Sequence, residues 1–154
     1  MSVPKQLPVE GEIRVDGVTF DLDSAYDELK IDPTHIIQQL TDQPTLYAYW
    51  SVLSEEADIL LLSSKRHLDR VEAEVDDRLR QEAREDDEKV TEAVIQRRIL
   101  RENDYEDALE EMIDARRNAS FLGVIRRALE QRLSVLIAVN NRDRAEMSAV
   151  GREG

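Results

Sequence analysis

Leu46-Tyr47-Ala48-Tyr49-Trp50 opens a long run with neither glycine nor proline, and a second such run follows Gly123, with its helix expected to end near Asn141. Pro44, just before the first run, suits the opening turn of a helix, where its missing N–H costs nothing. Such runs predict two long helices. Each is too long for an ordinary globular element, so each is expected to pack against the other. The first is expected from Pro44 to about Arg84. Leu46, Trp50, Leu53, Ala57, Leu60, Leu61, Leu68, Val71, Val75 and Leu79 follow at steps of three and four, forming one stripe. Around Ile59–Leu62 the apolar surface widens, which suggests contact with more than one neighbour.

Working back toward the N-terminus, Asp32-Pro33 reads as an N-cap followed by proline at the first helical position. It would start a short helix through about Leu40. A helical turn is expected over 24–30. Before it, Ile13 and Val15 alternate with Arg14, and Val18, Phe20 and Leu22 alternate with Thr19 and Asp21. Asp16-Gly17 between them suits a two-residue type I′ turn, so residues 12–22 read as a β-hairpin. That register pairs Val15 with Val18 and Ile13 with Phe20 and puts the apolar side chains on one face. A lone hairpin is marginal in water, so this face should cover something, either the helices or a docking partner. Residues 1–11 carry two of the four prolines and read as a flexible arm.

Working forward, Arg84–Lys89 is an acidic break. Thr91 can cap a short helix through about Arg101, and Asn103 with Glu106 suggests a capping box for the last helix. The stripe of that helix includes Ala108, Met112, Ala115, Ala119, Leu122, Leu129, Leu133 and Leu136. Gly123 interrupts it at about 1 kcal/mol relative to alanine, which suggests that a backbone, a phosphate or a neighbouring helix comes close. After Asn141 the chain is expected to fray. The fold class expected is all-α: an antiparallel long-helix hairpin with short accessory helices and a small N-terminal β-hairpin. The organisation expected is an arm and hairpin over 1–31, a helical hairpin domain over 32–142 and a flexible tail over 143–154.

The chain has 154 residues and no cysteine, which removes disulfides, thiolate zinc sites and cysteine nucleophiles. No stretch approaches the ~20 apolar residues of a membrane span, and the N-terminus lacks a signal-peptide core, so a soluble cytoplasmic protein without a membrane partner is expected. The net charge of −13 argues against a nucleic-acid binder. Its distribution qualifies that argument. Residues 1–64 carry a net −9, and residues 116–152 a net +5. Binding follows the local field more than the total charge.

Asp76, Asp77, Asp86 and Asp87 cluster in sequence, but each run is interleaved with arginine on the polar side of a stripe and reads as solvated surface. His35 and His67 lack a second imidazole at i+4. No metal site, cofactor or catalytic group is expected, and the chain does not read as an enzyme. Tyr47 lies off the Trp50 stripe, so it could stack on a base or anchor a helix junction. The best ligand candidates are basic. Arg116 and Arg127 are 11 residues apart, within about 20° around a helix. Ser120 and Gly123 lie between them, Arg117 and Arg126 flank them, and Arg132 continues the surface. Such a stripe could admit a phosphodiester backbone. The same arginines could instead pair with the acidic first helix.

Ile31-Asp32-x-Thr34, then Leu46-Tyr47-x-x-Trp50, a long charged helix, a break, and a final helix with Leu122 and Ala128-Leu129…Arg132 resembles the UvsY-like bacteriophage recombination mediators. Lys89-Val90-Thr91-Glu92-Ala93 and Tyr105-Glu106-x-Ala108-Leu109 look like segments of the same family, so the likeness runs from about Ile31 to Glu146. The resemblance implies a small helical protein that forms rings and binds single-stranded DNA. It also implies loading of a RecA-type recombinase onto DNA covered by single-strand-binding protein. One segment departs. Where founding members carry Leu-Lys-Ala-Arg-Leu-Asp, this chain has Val71-Glu72-Ala73-Glu74-Val75-Asp76, with both charges inverted. Those DNA-binding residues do not carry over, which leaves Arg116, Arg117, Arg126, Arg127 and Arg132 as the concentrated alternative. Two functions are therefore expected in competition. One is a homo-oligomeric mediator on single-stranded DNA; the other is a helical scaffold or chaperone with no nucleic-acid role.

Overall fold

A computed structural model describes residues 12–15 and 17–151. Strands β1 (Glu12–Val15) and β2 (Val18–Asp21) are followed by helices α1 (Leu22–Leu29), α2 (Ile36–Glu85), α3 (Glu92–Ile99) and α4 (Asn103–Val150). The fold is all-α apart from the hairpin, and the long helices α2 and α4 pack together. The chain divides into two compact units. One holds the residues up to Glu56 with those from Ser120 onward, and the other holds Ala57–Ala119. The N-terminal hairpin is therefore part of the first unit, and each long helix contributes to both.

In the first unit, β1 and β2 pair antiparallel with Val15 opposite Val18 and Ile13 opposite Phe20, the register expected from the alternation. Gly17 takes φ +76°, a conformation that favours glycine; its turn partner Asp16 lies outside the described residues. Ile13 and Val15 are buried, and Phe20 meets Trp50 at 5.6 Å and Tyr49 at 6.4 Å between ring centroids. The hairpin thus caps an aromatic junction at the front of α2. Trp50 is buried and its indole N–H donates to Glu28 Oε2 of α1 at 2.7 Å. A buried indole needs such a partner.

The entry to α2 differs from the sequence expectation. Asp32 Oδ1 accepts from the Thr34 N–H at 2.8 Å and the Thr34 hydroxyl at 2.6 Å, and the turn closes with the His35 N–H on the Asp32 carbonyl. The first helical bond runs from the Gln39 N–H to the His35 carbonyl. Asp32-Pro33 therefore builds a turn ahead of the helix. The expected short helix through Leu40 and the long helix from Pro44 are one continuous helix, with Pro44 inside it. An internal proline removes one backbone bond and costs about 3 kcal/mol. Gln43 and Trp50 on either side of it are buried, and the packing they anchor offsets that loss.

In the second unit, Val71, Val75, Leu79, Ile95, Ile99 and Ala108 form the core, with Leu68, Val90 and Tyr105 packed against it. α2 ends at Glu85 in a Schellman motif. The Glu88 N–H bonds to the Ala83 carbonyl at 2.8 Å, the Asp87 N–H bonds to the Arg84 carbonyl, and Asp87 takes φ 53° where glycine is usual. Thr91 is the N-cap of α3, but its hydroxyl makes no capping bond. For α4, the Glu106 N–H bonds to the Glu102 carbonyl, which puts the cap at Glu102 rather than at Asn103. The Glu102 carboxylate is held by Arg78. The widened apolar surface expected near Ile59–Leu62 is present, with Ile59, Leu60 and Leu62 exposed.

α4 runs to Val150, past the point near Asn141 where fraying is expected and through the first part of the tail assigned to 143–154. Residues 152–154, like the arm over 1–11, lie outside the described residues. No helix among the described residues is long and apolar enough to cross a membrane.

Candidate nucleic-acid interface

The five candidate arginines all lie on α4, but the fold gives them different tasks. In the first unit, Arg132 is buried, with 8% of its surface exposed. Its Nη1 donates to Gln43 Oε1, and its Nη2 donates to Gln39 Oε1 at 2.9 Å and to the Lys30 carbonyl at 3.3 Å. Gln43 in turn donates Nε2 to the Leu129 carbonyl at 2.8 Å. Gln39 accepts from the Asp32 N–H and donates to the Asp32 and His35 carbonyls. Among the described residues the guanidinium holds no carboxylate and its Nε is without a partner, and burial lowers its pKa from the ordinary arginine value. Arg132 is thus a structural clamp between α4, the front of α2 and the end of α1. The expectation that it extends a basic surface is corrected.

The sequence held the signal for this burial. Arg132 lies three residues after Leu129 and four before Leu136, on the stripe itself, whereas Leu133 beside it is turned outward. The clamp also gives two motif segments a physical role. Asp32 of Ile31-Asp32-x-Thr34 and Arg132 of Ala128-Leu129…Arg132 meet through Gln39.

Arg126 donates to Glu55 of α2 at 3.2 Å, so here the expected alternative of pairing with the acidic first helix holds. Arg127 is exposed and makes no ion pair among the described residues. A Cβ added at Gly123 would meet only Arg127 Nη1, at 3.7 Å. No neighbouring helix comes within reach of Gly123, and close packing does not account for it. Tyr47 is half-buried, and its hydroxyl donates to Glu130 Oε1 at 2.8 Å. It stands at a helix–helix junction, with one face on a groove lined by Pro44, Leu129 and Leu133. Tyr49 is the more exposed ring.

In the second unit, Arg117 bonds to Asp114 one turn back at 3.1 Å, and both side chains are exposed. An exposed pair of this kind is worth little and opens readily. Arg116 is exposed and makes no ion pair among the described residues. The charge-inverted segment belongs to the same unit. Glu74 lines an acidic cleft with His67, Asp104, Asp107 and Glu111, and Arg78 is the cation within it. A phosphate would be repelled there. On α2, Asp76 is held by Arg80, whose guanidinium also reaches Glu92 of α3 at 2.5 Å. Arg80 lowers the pKa of both carboxylates. Asp76 is therefore paired surface, as the interleaved arginines suggest. No group of three or more metal-ligating side chains forms among the described residues.

Arg116 and Arg127 are therefore the two cations of the five left open to a ligand, with Arg117 available when its local pair opens. Comparison with protein-family models, with known proteins and with solved structures gives no match.

Proposed function

We propose that this chain is a non-catalytic recombination mediator that binds single-stranded DNA as a homo-oligomer and assists loading of a RecA-type recombinase onto DNA covered by single-strand-binding protein. The observation that carries the reading is the exposed state of Arg116 and Arg127, without ion pairs among the described residues, on a helix whose Arg117, Arg126 and Arg132 are engaged within the chain. The order of the family-like segments supports it, because the two outermost ones meet in the Arg132 clamp and so belong to one packed arrangement. In this account Arg116, Arg127 and, more weakly, Arg117 touch phosphates. Repetition around an oligomer multiplies interactions that are few in each protomer. Exposed Ile59, Leu60 and Leu62, and Val124, Val135 and Ile137, supply apolar surface for assembly.

The second reading is a helical scaffold or chaperone with no nucleic-acid role. The removal of Arg132 and Arg126 from the candidate set favours it, as does the net charge of −13. Titration of labelled oligo-dT at two salt concentrations separates the two. The mediator reading expects weak, salt-sensitive binding, with a slope of about −0.7 in log K against log salt for each phosphate neutralised. No binding at low salt would leave the scaffold reading.

A further inference from the structure

The buried seam of α4 outruns the helix that covers it. Leu122, Leu129 and Leu136 are each fully buried at steps of seven, and the next two steps reach Asp143 and Val150. A heptad drifts only about 20° around a helix, so Val150 and Met147 continue the same face. Yet Met147 is 68% and Val150 75% exposed. The cause is the register. Gln39 lies opposite Arg132, α2 begins at Ile36, and α4 continues to Val150. Beyond Asp143 every described residue of α4 is exposed. A helix with an apolar end and no partner is marginal in water by itself.

The same unit carries an apolar groove. A groove of about 320 Å³ between α2 and α4 is lined by Gln43, Pro44, Tyr47, Leu129, Glu130 and Leu133, almost wholly through apolar atoms. Leu133 on its rim is 38% exposed. Its charge is acidic: Glu130 stands on the rim, and among the described residues only the Tyr47 hydroxyl bonds to it. The tip of α4 also carries Asp143 and Glu146, so it is not basic overall, but it offers one matching cation. Arg144, one turn before Met147, forms no ion pair among the described residues, whereas Arg142 is matched by Asp143 and Glu146.

We propose that the last two turns of α4, residues 143–150, dock in the Pro44–Tyr47–Leu129–Leu133 groove of a second copy of this chain. Met147 and Val150 enter the apolar floor and Arg144 meets Glu130. The contact is heterologous, because tip and groove are different surfaces. Each copy therefore offers one of each, and the array closes into a ring or extends as a filament. The proposal rests on the homo-oligomer named above and deepens it by assigning its interface.

The test is the mass of the full chain by light scattering across a concentration series, with helicity followed by circular dichroism. The parent is expected above monomer mass. Met147→Glu with Val150→Glu, and separately Leu133→Glu, should each give a monomer of parental helicity. An equal mixture of the two variants should give a dimer and nothing larger, because only one tip–groove match survives. Arg144→Glu and Glu130→Arg should each weaken assembly and together restore it. This charge-reversal pair decides the matter if Leu133→Glu loses helicity. A monomeric parent, a tip variant of parental mass, or a mixture that stays monomeric would overturn the docking. Oligo-dT titration of the parent reads the other claim separately. A chain that assembles but ignores DNA loses the mediator role and keeps the interface, and a monomer that binds DNA does the reverse.

Discussion

Arg132 of α4 and Gln43 of α2 are joined by a buried hydrogen bond, Nη1 to Oε1; Asp27, Glu28 and Asp42 line the same pocket, but none pairs with the guanidinium among the described residues. A cation taken out of water needs partners for its donors, and here two glutamine oxygens and one backbone carbonyl accept from Nη1 and Nη2, while Nε is left without one among the described residues. Truncation would remove the Arg132 donor from Gln43 Oε1 and open a cavity, while Gln39 Oε1 would keep the Asp32 N–H. Arg132→Ala is expected to lower stability by about 3 kcal/mol, seen as a fall in the urea midpoint with an unchanged slope. A change near zero would mean that the site is hydrated and the clamp unimportant.

Gly123 offers the opposite case. An added methyl would make only ordinary contact with the Arg127 side chain. Gly123→Ala should therefore raise stability by about 1 kcal/mol, the intrinsic helical difference between the residues. Measured by thermal or urea unfolding, a loss of stability would reveal a close approach that the packing does not contain.

Asp87 occupies the left-handed position of the α2 terminus with φ 53°. Glycine takes that conformation without a Cβ penalty, so Asp87→Gly should stabilise by about 0.5–1 kcal/mol. Asp87→Val should destabilise by a similar amount or more, because a β-branched side chain resists φ > 0. Equal stability of the two variants would show that the turn is remodelled at little cost.

Asp32 should titrate at about 2, well below its ordinary value of 3.8. The Thr34 hydroxyl is the main cause, followed by the Thr34 N–H and His35, all of which favour the carboxylate. A depressed carboxylate stabilises the folded chain above its unfolded pKa. The turn's contribution is thus present near neutrality and lost as pH falls from about 4 through about 2. Carbon-detected NMR of the Asp32 carboxyl checks this, and Thr34→Ala should move the midpoint upward. A midpoint near 4 in the parent would remove the Asp32–Thr34 bonds from the account.

Much of the fold is legible in the sequence because its signals are periodic or steric. Alternation around Asp16-Gly17 specifies the hairpin register, and the steps of three and four from Trp50 to Leu79 specify most of the face of α2, although Leu60, expected on that stripe, is exposed. Helix ends are where sequence misleads. Pro44 suits a first turn by its chemistry, yet its cost inside a helix is offset by the packing that Gln43 and Trp50 anchor. No breaker stands between Asn141 and Gly151, so α4 continues through exposed residues that have no apolar partner. The candidate site is half legible. Charge type identifies α4, but exposure depends on which arginine falls on the buried seam. Arg132 does, and polar residues at seam positions, including Ser54 and Ser64, escape a reading built on apolar spacing.

The central claim is that Arg116 and Arg127 bind the phosphates of single-stranded DNA. The direct measurement is the slope of log K against log salt for labelled oligo-dT, taken on the parent and on the Arg116→Glu, Arg127→Glu double variant. Both side chains are exposed and make no ion pair among the described residues, so the variant should keep parental helicity. The account predicts measurable low-salt binding by the parent. It predicts weaker binding by the variant, with a slope shallower by about 0.7 for each phosphate no longer neutralised. A parent that does not bind at low salt, or a variant that binds with the parental affinity and slope, would contradict it.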